Sequence, residues 1–498
     1  MKKLFPLKLL LLSLINGGII GLFITLFLKV IYLAEETSVA LAEFLRTNLW
    51  LIPIYLIVFL GVAFLVSYLS KFEKFTRGGG MPQTEGLIRD VLHLRWYYAI
   101  PIVTICSLLA IACGISLDNE GPSVLIGACI GTMVTKLFNQ NFFVEKYLIA
   151  GGSGAGLATA FNMPLTGVLF SLEEGSKRFS PMLLLTSIAS VFSAIAVSNL
   201  LMERSPMFAP IELAAQMHWS AYVVLFCVGI VLGLVAKLFS KSILKLTEFF
   251  NTNKYFKNGR AMFLPFILLI PCMLFLPEVM GPGVELINKT FEGTFILWSL
   301  VVLLVVKFAF TALSSSTSLI GGIFIPSLAI EGLAGALLGS IINQILPTNI
   351  NTDIFVLAGM VVAFTSIAGS PLTAVVFSVE LSQNFNIFFP MICVVLGALL
   401  IGQLFKSEPI YEAQLWQMRK AQGEHEHEAF YALDILVEEN SHLDEMLIRD
   451  IILPGNCIIA DIKRREETIT PDAESEIHHG DILTFNFETR EYDEYVEK

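Results

Sequence analysis

Long apolar segments alternate along this chain with shorter ones that Gly, Pro, Ser and Asn interrupt. A helix that crosses a bilayer needs about 20 predominantly apolar residues. Six segments predict spanning helices: Leu4–Val30, Trp50–Tyr68, Ile100–Ile115, Tyr222–Phe239, Phe263–Phe275 and Ile296–Leu313. Six others are too short to cross alone and predict tilted, partial or re-entrant helices: 121–137, 146–160, 164–172, 318–345, 354–367 and 371–382. Such segments are tolerated only where protein buries them or where they line a cavity.

The apolar pattern is duplicated. Residues 164–173 and 371–380 agree at seven of ten positions, and residues 122–131 align without a gap on residues 326–335. The offsets, 207 and 204, are nearly equal, so one duplicated unit builds most of the protein. Duplicated membrane halves with short, broken apolar segments are typical of transporters that hold substrate at the midplane between inverted repeats.

Composition supports a membrane location for the apolar segments. Hydrophobic residues make up 55% of the chain and charged residues 15%, whereas soluble globular chains are about 25% charged. The pattern and composition together predict an all-α polytopic membrane protein with two inverted repeats. The seven cysteines are scattered without CxxC spacing, and we interpret them as small buried hydrophobes rather than disulfides or metal ligands.

Basic residues indicate the orientation in the membrane. They cluster before the first apolar segment and in one loop: Lys2, Lys3, Lys8, Lys71, Lys74 and Arg77. The first segment has no small-residue cleavage site and predicts an uncleaved helix. By the positive-inside rule, we expect a multi-pass plasma-membrane protein with a cytoplasmic N-terminus.

Charge separates a C-terminal tail from the rest of the chain. Residues 421–498 hold 21 Asp and Glu but 6 Lys and Arg, a net charge of −15, whereas the remainder carries +4. This acidity excludes a nucleic-acid role and predicts a separate cytoplasmic domain. The predicted organisation is a transport domain at 1–420 with repeats at approximately 10–205 and 215–410, a linker at 421–430 and a small α+β domain at 431–498.

A candidate anion site follows from the sequence Asp118-Asn119-Glu120-Gly121-Pro122, which begins a helical segment. The 204-residue offset places Phe324 opposite Glu120. We expect two helix N-termini to meet near the midplane, where their unpaired amides and positive dipole ends attract an anion without a buried cation. The Glu120 carboxylate can itself occupy that position. It becomes neutral when protonated, so an anion and a proton compete for one place.

Three motifs now carry a specific resemblance. Gly78–Pro82 resembles GSGIP, Asn119–Pro122 resembles [KR]EGP, and Gly322–Pro326 resembles GxFxP, in that order along the chain. Over residues 1 to about 420 the chain resembles the ClC family of chloride channels and chloride/proton exchangers. The resemblance implies a homodimer in which each subunit has its own anion path.

The resemblance also implies residue roles. Glu120 matches the gating glutamate and Glu174 the internal proton-transfer glutamate of exchangers. The implied anion-binding residues are Gly79, Gly80, Ile323, Phe324 and Tyr411, with motif support from Gly121, Pro122, Gly322 and Pro326. Glu173 has a repeat counterpart in Glu380, which suggests a shared structural function such as packing or hydrogen bonding.

Three positions depart from the family pattern, and a fourth departs from the repeat alignment. Gly79 stands where chloride-preferring members usually have a serine donor, and Asn119 replaces a usual Lys or Arg beside the outer entrance. Asp118 replaces a glycine and adds a negative charge there. Glu331 occupies the place of Gly127 in the repeat alignment, and a carboxylate in that apolar run needs a partner or water.

The predicted function is chloride/proton antiport. Two alternatives stay open on the same fold: a passive voltage- or ligand-gated chloride channel, and a fluoride/proton antiporter. We expect no enzyme, because only His93 and His218 lie outside the tail and neither HExxH spacing nor a Ser/His pair is evident. Accordingly we predict no catalytic residue, no metal site and no cofactor. Chloride and protons are the transported species.

The tail predicts short strands at Cys457–Ile462, Glu467–Thr470 and Asp481–Phe487. Over about residues 430–490 it resembles the TrkA-C domain, which implies dimerisation and regulation by a small ligand, with cyclic di-AMP as one candidate. An assembly or stability appendage is the alternative. His425 and His427 are interpreted as part of an exposed linker rather than as metal ligands.

Overall fold

The computed structural model describes residues 5–175, 180–203, 208, 217–256, 259–346, 350–406, 408–420, 430–437, 441, 443–451, 458–464 and 467–488. The chain divides into two compact units, Met1–Leu415 and Trp416–Lys498. Several residues used above lie outside the described ones: Lys2, Lys3, His425, His427, Cys457 and most of the predicted linker.

The first unit is helical. Within the described residues, the α-helices are α1 (Phe5–Thr47), α2 (Ile52–Leu69), α3 (Met81–Ile88), α4 (Trp96–Cys113), α5 (Glu120–Leu137), α6 (Phe142–Phe161), α7 (Pro164–Phe170), α8 (Pro181–Leu201), α9 (Trp219–Thr252), α10 (Phe263–Phe275), α11 (Val284–Phe291), α12 (Leu297–Ser316), α13 (Phe324–Ile345), α14 (Thr352–Ala363), α15 (Pro371–Ser382), α16 (Phe388–Leu404) and α17 (Ile410–Lys420), the last of which continues into the second unit. Wider π-helical turns follow α7 and α14, at Ser171–Gly175 and Phe364–Ala368.

Eight of the described helices are long and apolar enough to cross a membrane, so this is an integral membrane protein. Some predicted spans are wrong. The α10 helix has 13 residues, too few to cross alone, whereas α13 is continuous over 22 residues although it was predicted to be too short. Its glycines do not interrupt it. A Cβ at Gly335 would clash with the Phe355 backbone and one at Gly339 with the Phe355 side chain, so both glycines lie against α14.

The spanning helices α8 and α16 were missed, and α1 continues to Thr47 rather than ending near Val30. Hydroxyl residues lower the apolar content of α8, yet they face the protein. Ser190, for example, is fully buried, and its hydroxyl donates to the Ser13 carbonyl of α1 at 3.1 Å. A polar residue satisfied by a neighbouring helix does not prevent insertion.

The two repeats pack in the same way. Helix α1 packs on α8 and α6, and α9 packs on α16 and α14. Glycines allow both contacts: a Cβ at Gly17 would clash with the backbone of Ser190, and a Cβ at Gly229 with that of Val394. Small residues at these crossings let helix backbones approach closely where no hydrophobic effect drives association. The duplicated architecture predicted from the sequence is confirmed.

The repeats also cap one another's helices. The Glu173 carboxylate accepts hydrogen bonds from the amides of Leu372 (2.9 Å) and Thr373 (2.7 Å) at the start of α15. The Glu380 carboxylate accepts from Leu165 (2.8 Å) and Thr166 (2.7 Å) at the start of α7. Each carboxylate satisfies amides that have no partner within their own helix. This exchange is the shared structural function expected of the pair.

The second unit contains a four-stranded antiparallel sheet in the order β1-β4-β2-β3. Its strands are β1 (Phe430–Leu436), β2 (Ile458–Arg464), β3 (Glu467–Ile469) and β4 (Ile482–Glu488). Three match the predicted strands, and β1 was not predicted. The core under the sheet includes Ile462, Ile477 and Leu483.

Candidate anion site at the joint of the repeats

Three glycine-containing loops meet at one point in the first unit. The Gly78 carbonyl accepts a hydrogen bond from the Gly321 amide at 3.3 Å, and Asp118 and Gly322 exchange two backbone hydrogen bonds of 2.9 Å. Gly80 has a φ of +87°, and a Cβ there would clash with the Gly121 backbone. The loops carrying the three sequence motifs therefore lie against one another.

Each of these loops leads into a helix. Helix α3 begins at Met81, α5 at Glu120 and α13 at Phe324. The first amides of a helix have no partner within it, and the aligned peptide dipoles make this end positive. The predicted meeting of two helix starts is observed, and the start of α3 joins them. This arrangement is suited to holding a small anion.

Glu120 lies at this meeting point and is fully buried. Neither of its carboxylate oxygens has a hydrogen-bond donor among the described residues. A buried carboxylate without partners is costly when charged. Glu120 is therefore suited to a group that changes its protonation or its position.

Asp118 is the site residue whose position the sequence did not predict. The sequence predicts that Asp118 adds a negative charge beside the outer entrance, where Asn119 replaces a usual basic residue. In the structure both residues are buried. The Asp118 carboxylate accepts from the amides of Glu120 (3.1 Å) and Gly121 (3.4 Å) on α5 and from that of Ile325 (2.7 Å) on α13. The signal was available, because Asp shortly before a helix start is a preferred capping residue.

Aromatic packing fixes the start of α13. The Phe324 ring lies edge-to-face against Phe161 and Phe364, with centroid distances of 5.6 and 4.3 Å. Phe377 completes the cluster at 4.7 Å from Phe364. These rings come from α6, α13, α15 and the π-helical turn that follows α14, so both repeats hold the Phe324 backbone in place.

Tyr411 is the second residue of α17 and is 1% exposed. Its hydroxyl has no hydrogen-bond partner within the described part of the chain. It lies within electrostatic range of Asp118, Glu120 and Glu174. Tyr411 thus supplies a buried polar group close to both glutamates that the sequence singled out.

Glu174 lies in the π-helical turn after α7 and is 4% exposed. The Ser370 hydroxyl, immediately before α15, donates to its carboxylate at 3.4 Å. Glu174 therefore reaches across the repeat boundary, as Glu173 does, but contacts a side chain instead of capping α15.

Space around Gly79 does not require a glycine. A Cβ built there would have the Gly321 carbonyl oxygen as its nearest neighbour, at 3.9 Å, which is ordinary contact. Gly79 offers only its backbone to the site. The side-chain amide nitrogen of Asn119 is a buried donor that has no acceptor among the residues described.

Two further ionisable residues are fully buried near these elements. The Lys307 ammonium on α12 donates to the carbonyls of Val279 (3.1 Å) and Gly281 (2.8 Å); sequence reasoning did not single it out. Glu331 on α13 has two carboxylate oxygens without a donor in the described residues. We expected the Glu331 carboxylate to need a partner or water, and no group among the described residues is that partner.

Comparison with known proteins identifies the family of this chain. A family model described as voltage gated chloride channel matches residues 61–403, and a TrkA-C domain model matches residues 433–497. The chain is 30% identical over 431 residues to the H(+)/Cl(-) exchange transporter ClcA of Vibrio cholerae serotype O1, covering 84% of this chain and 91% of that protein. It is 28% identical to the ClcA of Salmonella paratyphi B, covering 82% and 88%.

Two solved structures share the fold. A slow cyanobacterial Cl⁻/H⁺ antiporter superposes with a TM-score of 0.78 at 24% identity, covering 84% of this chain and 99% of that one. A CLC-type fluoride/proton antiporter gives 0.68 at 22% identity, covering 82% and 97%. With the family model spanning most of the membrane unit, the chain belongs to the voltage gated chloride channel family and carries a C-terminal TrkA-C domain.

Proposed function

We propose that this protein exchanges chloride for protons across the plasma membrane. The observation that carries the proposal is the fully buried Glu120 carboxylate at the meeting of helix starts, with the Asp118 carboxylate beside it and Tyr411 within electrostatic range. Relatives named H(+)/Cl(-) exchange transporters support the same activity.

The anion occupies the positive end of α13, where the amides of Ile323 and Phe324 donate to it with the Tyr411 hydroxyl. The backbone of Gly79 and Gly80 closes the third side. Ionised Glu120 competes with the anion for these donors. Protonation neutralises the side chain, and it then leaves the site to the anion, so the two substrates alternate.

Glu174 delivers protons to Glu120 from the opposite side of the site. Its burial and its contact with Ser370 support this assignment, as does its electrostatic link with Tyr411. An ionisable residue inside a membrane protein is a functional candidate by default. Glu173, one residue earlier, is committed to capping α15 and takes no part.

The assembly is a homodimer with two anion paths, and its N-terminus and tail are cytoplasmic. The basic residues beside the first helix support this orientation. The TrkA-C match supports a regulatory tail, with a cyclic dinucleotide such as cyclic di-AMP as the candidate ligand. Titrating cyclic di-AMP into full-length protein while following transport tests this, and an unchanged rate at saturation favours a stability or assembly role.

Proton movement in liposomes tests the exchange itself. Purified protein is reconstituted with an imposed chloride gradient, and wild type is compared with Glu120→Gln and Glu174→Gln. We expect chloride to drive protons uphill in wild type and neither variant to do so, while anion flux persists. Glu173→Gln is the matched control and should keep coupling.

The alternatives give different results in the same vesicles. Anion flux without uphill proton movement in wild type identifies a passive channel. Uphill proton movement driven by fluoride but not by chloride identifies a fluoride/proton antiporter. Loss of coupling in Glu173→Gln as in Glu174→Gln would contradict the separate roles of the two glutamates.

A further inference from the structure

We propose that the Asp118 carboxylate is a tethered anion: it occupies the amide-lined position between the starts of α5 and α13, and a free anion binds there only after Asp118 leaves. The ligand class is a small monovalent anion such as a halide. The inference rests on the proposed function, since this position adjoins the one proposed there at the amides of Ile323 and Phe324.

The contacts of Asp118 are those of a bound anion. One carboxylate oxygen takes the amides of Glu120 and Gly121, and the other takes the amide of Ile325 at 2.7 Å. These donors belong to two helices from opposite repeats. The side chain is fully buried and rests against Gly322, where a Cβ would clash with it. An ordinary helix cap accepts hydrogen bonds from the first amides of one helix, whereas this carboxylate accepts from the first amides of both α5 and α13.

Buried polar groups around the joint indicate a ligand position independently of Asp118. The Tyr411 hydroxyl, the Asn119 amide nitrogen and the Glu120 carboxylate are all buried without partners within the described residues. Unsatisfied buried donors are costly, and native proteins retain them where something else binds. A structural cap at Asp118 does not account for the unpartnered Asn119 donor, whereas an anion beside it does.

Among the described residues, titratable groups within electrostatic range of Asp118 lie on three helices. Glu120 on α5 is a second carboxylate beside it, Tyr411 is on α17, and Lys307 on α12 is a cation. The Lys307 ammonium is already bonded to two backbone carbonyls. Asp118 and a free anion in this position therefore compete directly, because both require the amides of Glu120, Gly121 and Ile325.

A binding experiment on the full-length protein tests the proposal. Bromide is titrated into wild type, Asp118→Gly and Asp118→Asn by calorimetry, and bromide positions are located by anomalous diffraction. We expect Asp118→Gly to bind one more bromide per subunit than wild type, at the vacated amides. Asp118→Asn keeps the shape but loses the charge, and we expect its bromide affinity to rise about tenfold.

The outcomes also separate this inference from the transport proposal, because binding is measured without proton coupling. Equal bromide stoichiometry in Asp118→Gly and wild type overturns the tethered anion and leaves Asp118 a structural cap. If Asp118→Gly does not fold, unchanged bromide affinity in Asp118→Asn overturns it equally. Gained binding in a protein that fails to move protons uphill supports the inference and contradicts the antiporter.

Discussion

The burial of Tyr411 and Glu120 indicates that both residues have a functional role. Both are almost or fully buried, and both leave polar atoms unpaired within the described protein. Leaving such a group unsatisfied costs about 1–3 kcal/mol. Folded proteins keep such groups where they bind a ligand or exchange a proton. We propose anion binding for Tyr411 and proton exchange for Glu120.

Replacing Tyr411 by Phe removes the hydroxyl and keeps the ring. We expect chloride affinity to fall about fivefold, because one neutral hydrogen bond contributes about 1 kcal/mol. Calorimetric chloride titration measures this. Tyr55→Phe is the matched control, since the Tyr55 hydroxyl donates to the Leu41 carbonyl at 3.0 Å, away from the site. Equal affinity in Tyr411→Phe and wild type would remove Tyr411 from the anion site.

The burial of Glu331 leads to a prediction about stability. Its carboxylate has no donor in the described residues, so replacing it by an apolar side chain of similar size relieves a cost. We expect Glu331→Met to raise the free energy of unfolding by about 1–3 kcal/mol, and Glu331→Gln to raise it less. Thermal unfolding in detergent measures both. A loss of proton coupling without a gain in stability would instead place Glu331 on the proton path.

Helix starts, rather than helix lengths, organise this fold. Helices α3, α5, α7 and α15 each have Gly or Pro at or next to their first residue, and their first amides need partners from outside the helix. At the joint those amides face Asp118 and the proposed anion. Away from it, Glu173 and Glu380 close the starts of α15 and α7.

The exchanged caps predict a symmetric effect on stability. Glu173→Gln and Glu380→Gln each remove a charge from two amide contacts and one threonine hydroxyl contact. Hydrogen bonds to charged groups contribute about 1.5–3 kcal/mol, so we expect both variants to lower the unfolding temperature by similar amounts. Thermal unfolding checks this, and an effect in one variant alone would contradict the equivalence of the repeats.

The two units of the whole molecule follow different physical rules. The first buries hydroxyls and carboxylates among apolar helices, and the second is a small acidic sheet domain stabilised by its core and an ion pair. In that pair, Arg464 donates to both oxygens of Asp481 at 2.8 and 2.7 Å, and the His478 amide adds a third bond of 2.8 Å.

This pair gives the tail a defined pH dependence. Burial alone raises the pKa of Asp481, but the hydrogen bonds from Arg464 and the His478 amide outweigh it, and the pKa lies below its ordinary value of 3.8. A lowered folded-state pKa stabilises the fold above pH 3.8, and this contribution is lost as the pH falls further.

We therefore expect Asp481→Asn to weaken the sheet by about 1–2 kcal/mol at pH 7, and the difference from wild type to shrink near pH 3. Hydrogen exchange of the β2 and β4 amides in full-length protein measures this. Asp461→Asn on β2 is the control. A difference that stays constant down to pH 3 would show that the ion pair is not the cause.

The sequence by itself determined the membrane class, the duplication and the acidic tail, because these depend on composition and on self-similarity. It also singled out Glu120, Glu174 and Phe324, because motif and repeat spacing can be read from the sequence alone; the roles given to them stay predictions. It misjudged α8 and α13, where serines and glycines lower the apparent apolar content. Hydropathy assigns a value to each residue alone and does not register that a neighbouring helix satisfies a hydroxyl or packs on a glycine.

Only the tertiary structure decided what Asp118 does. Its amide partners lie two, three and 207 positions away along the chain, and the last becomes a partner only when the two repeats meet. The exchange between Glu173 and Glu380 has the same origin. The sequence gives the chemical type of each side chain, but the fold determines which groups lie next to it. Burial makes unpaired polar atoms costly, and packing determines which of those atoms form hydrogen bonds.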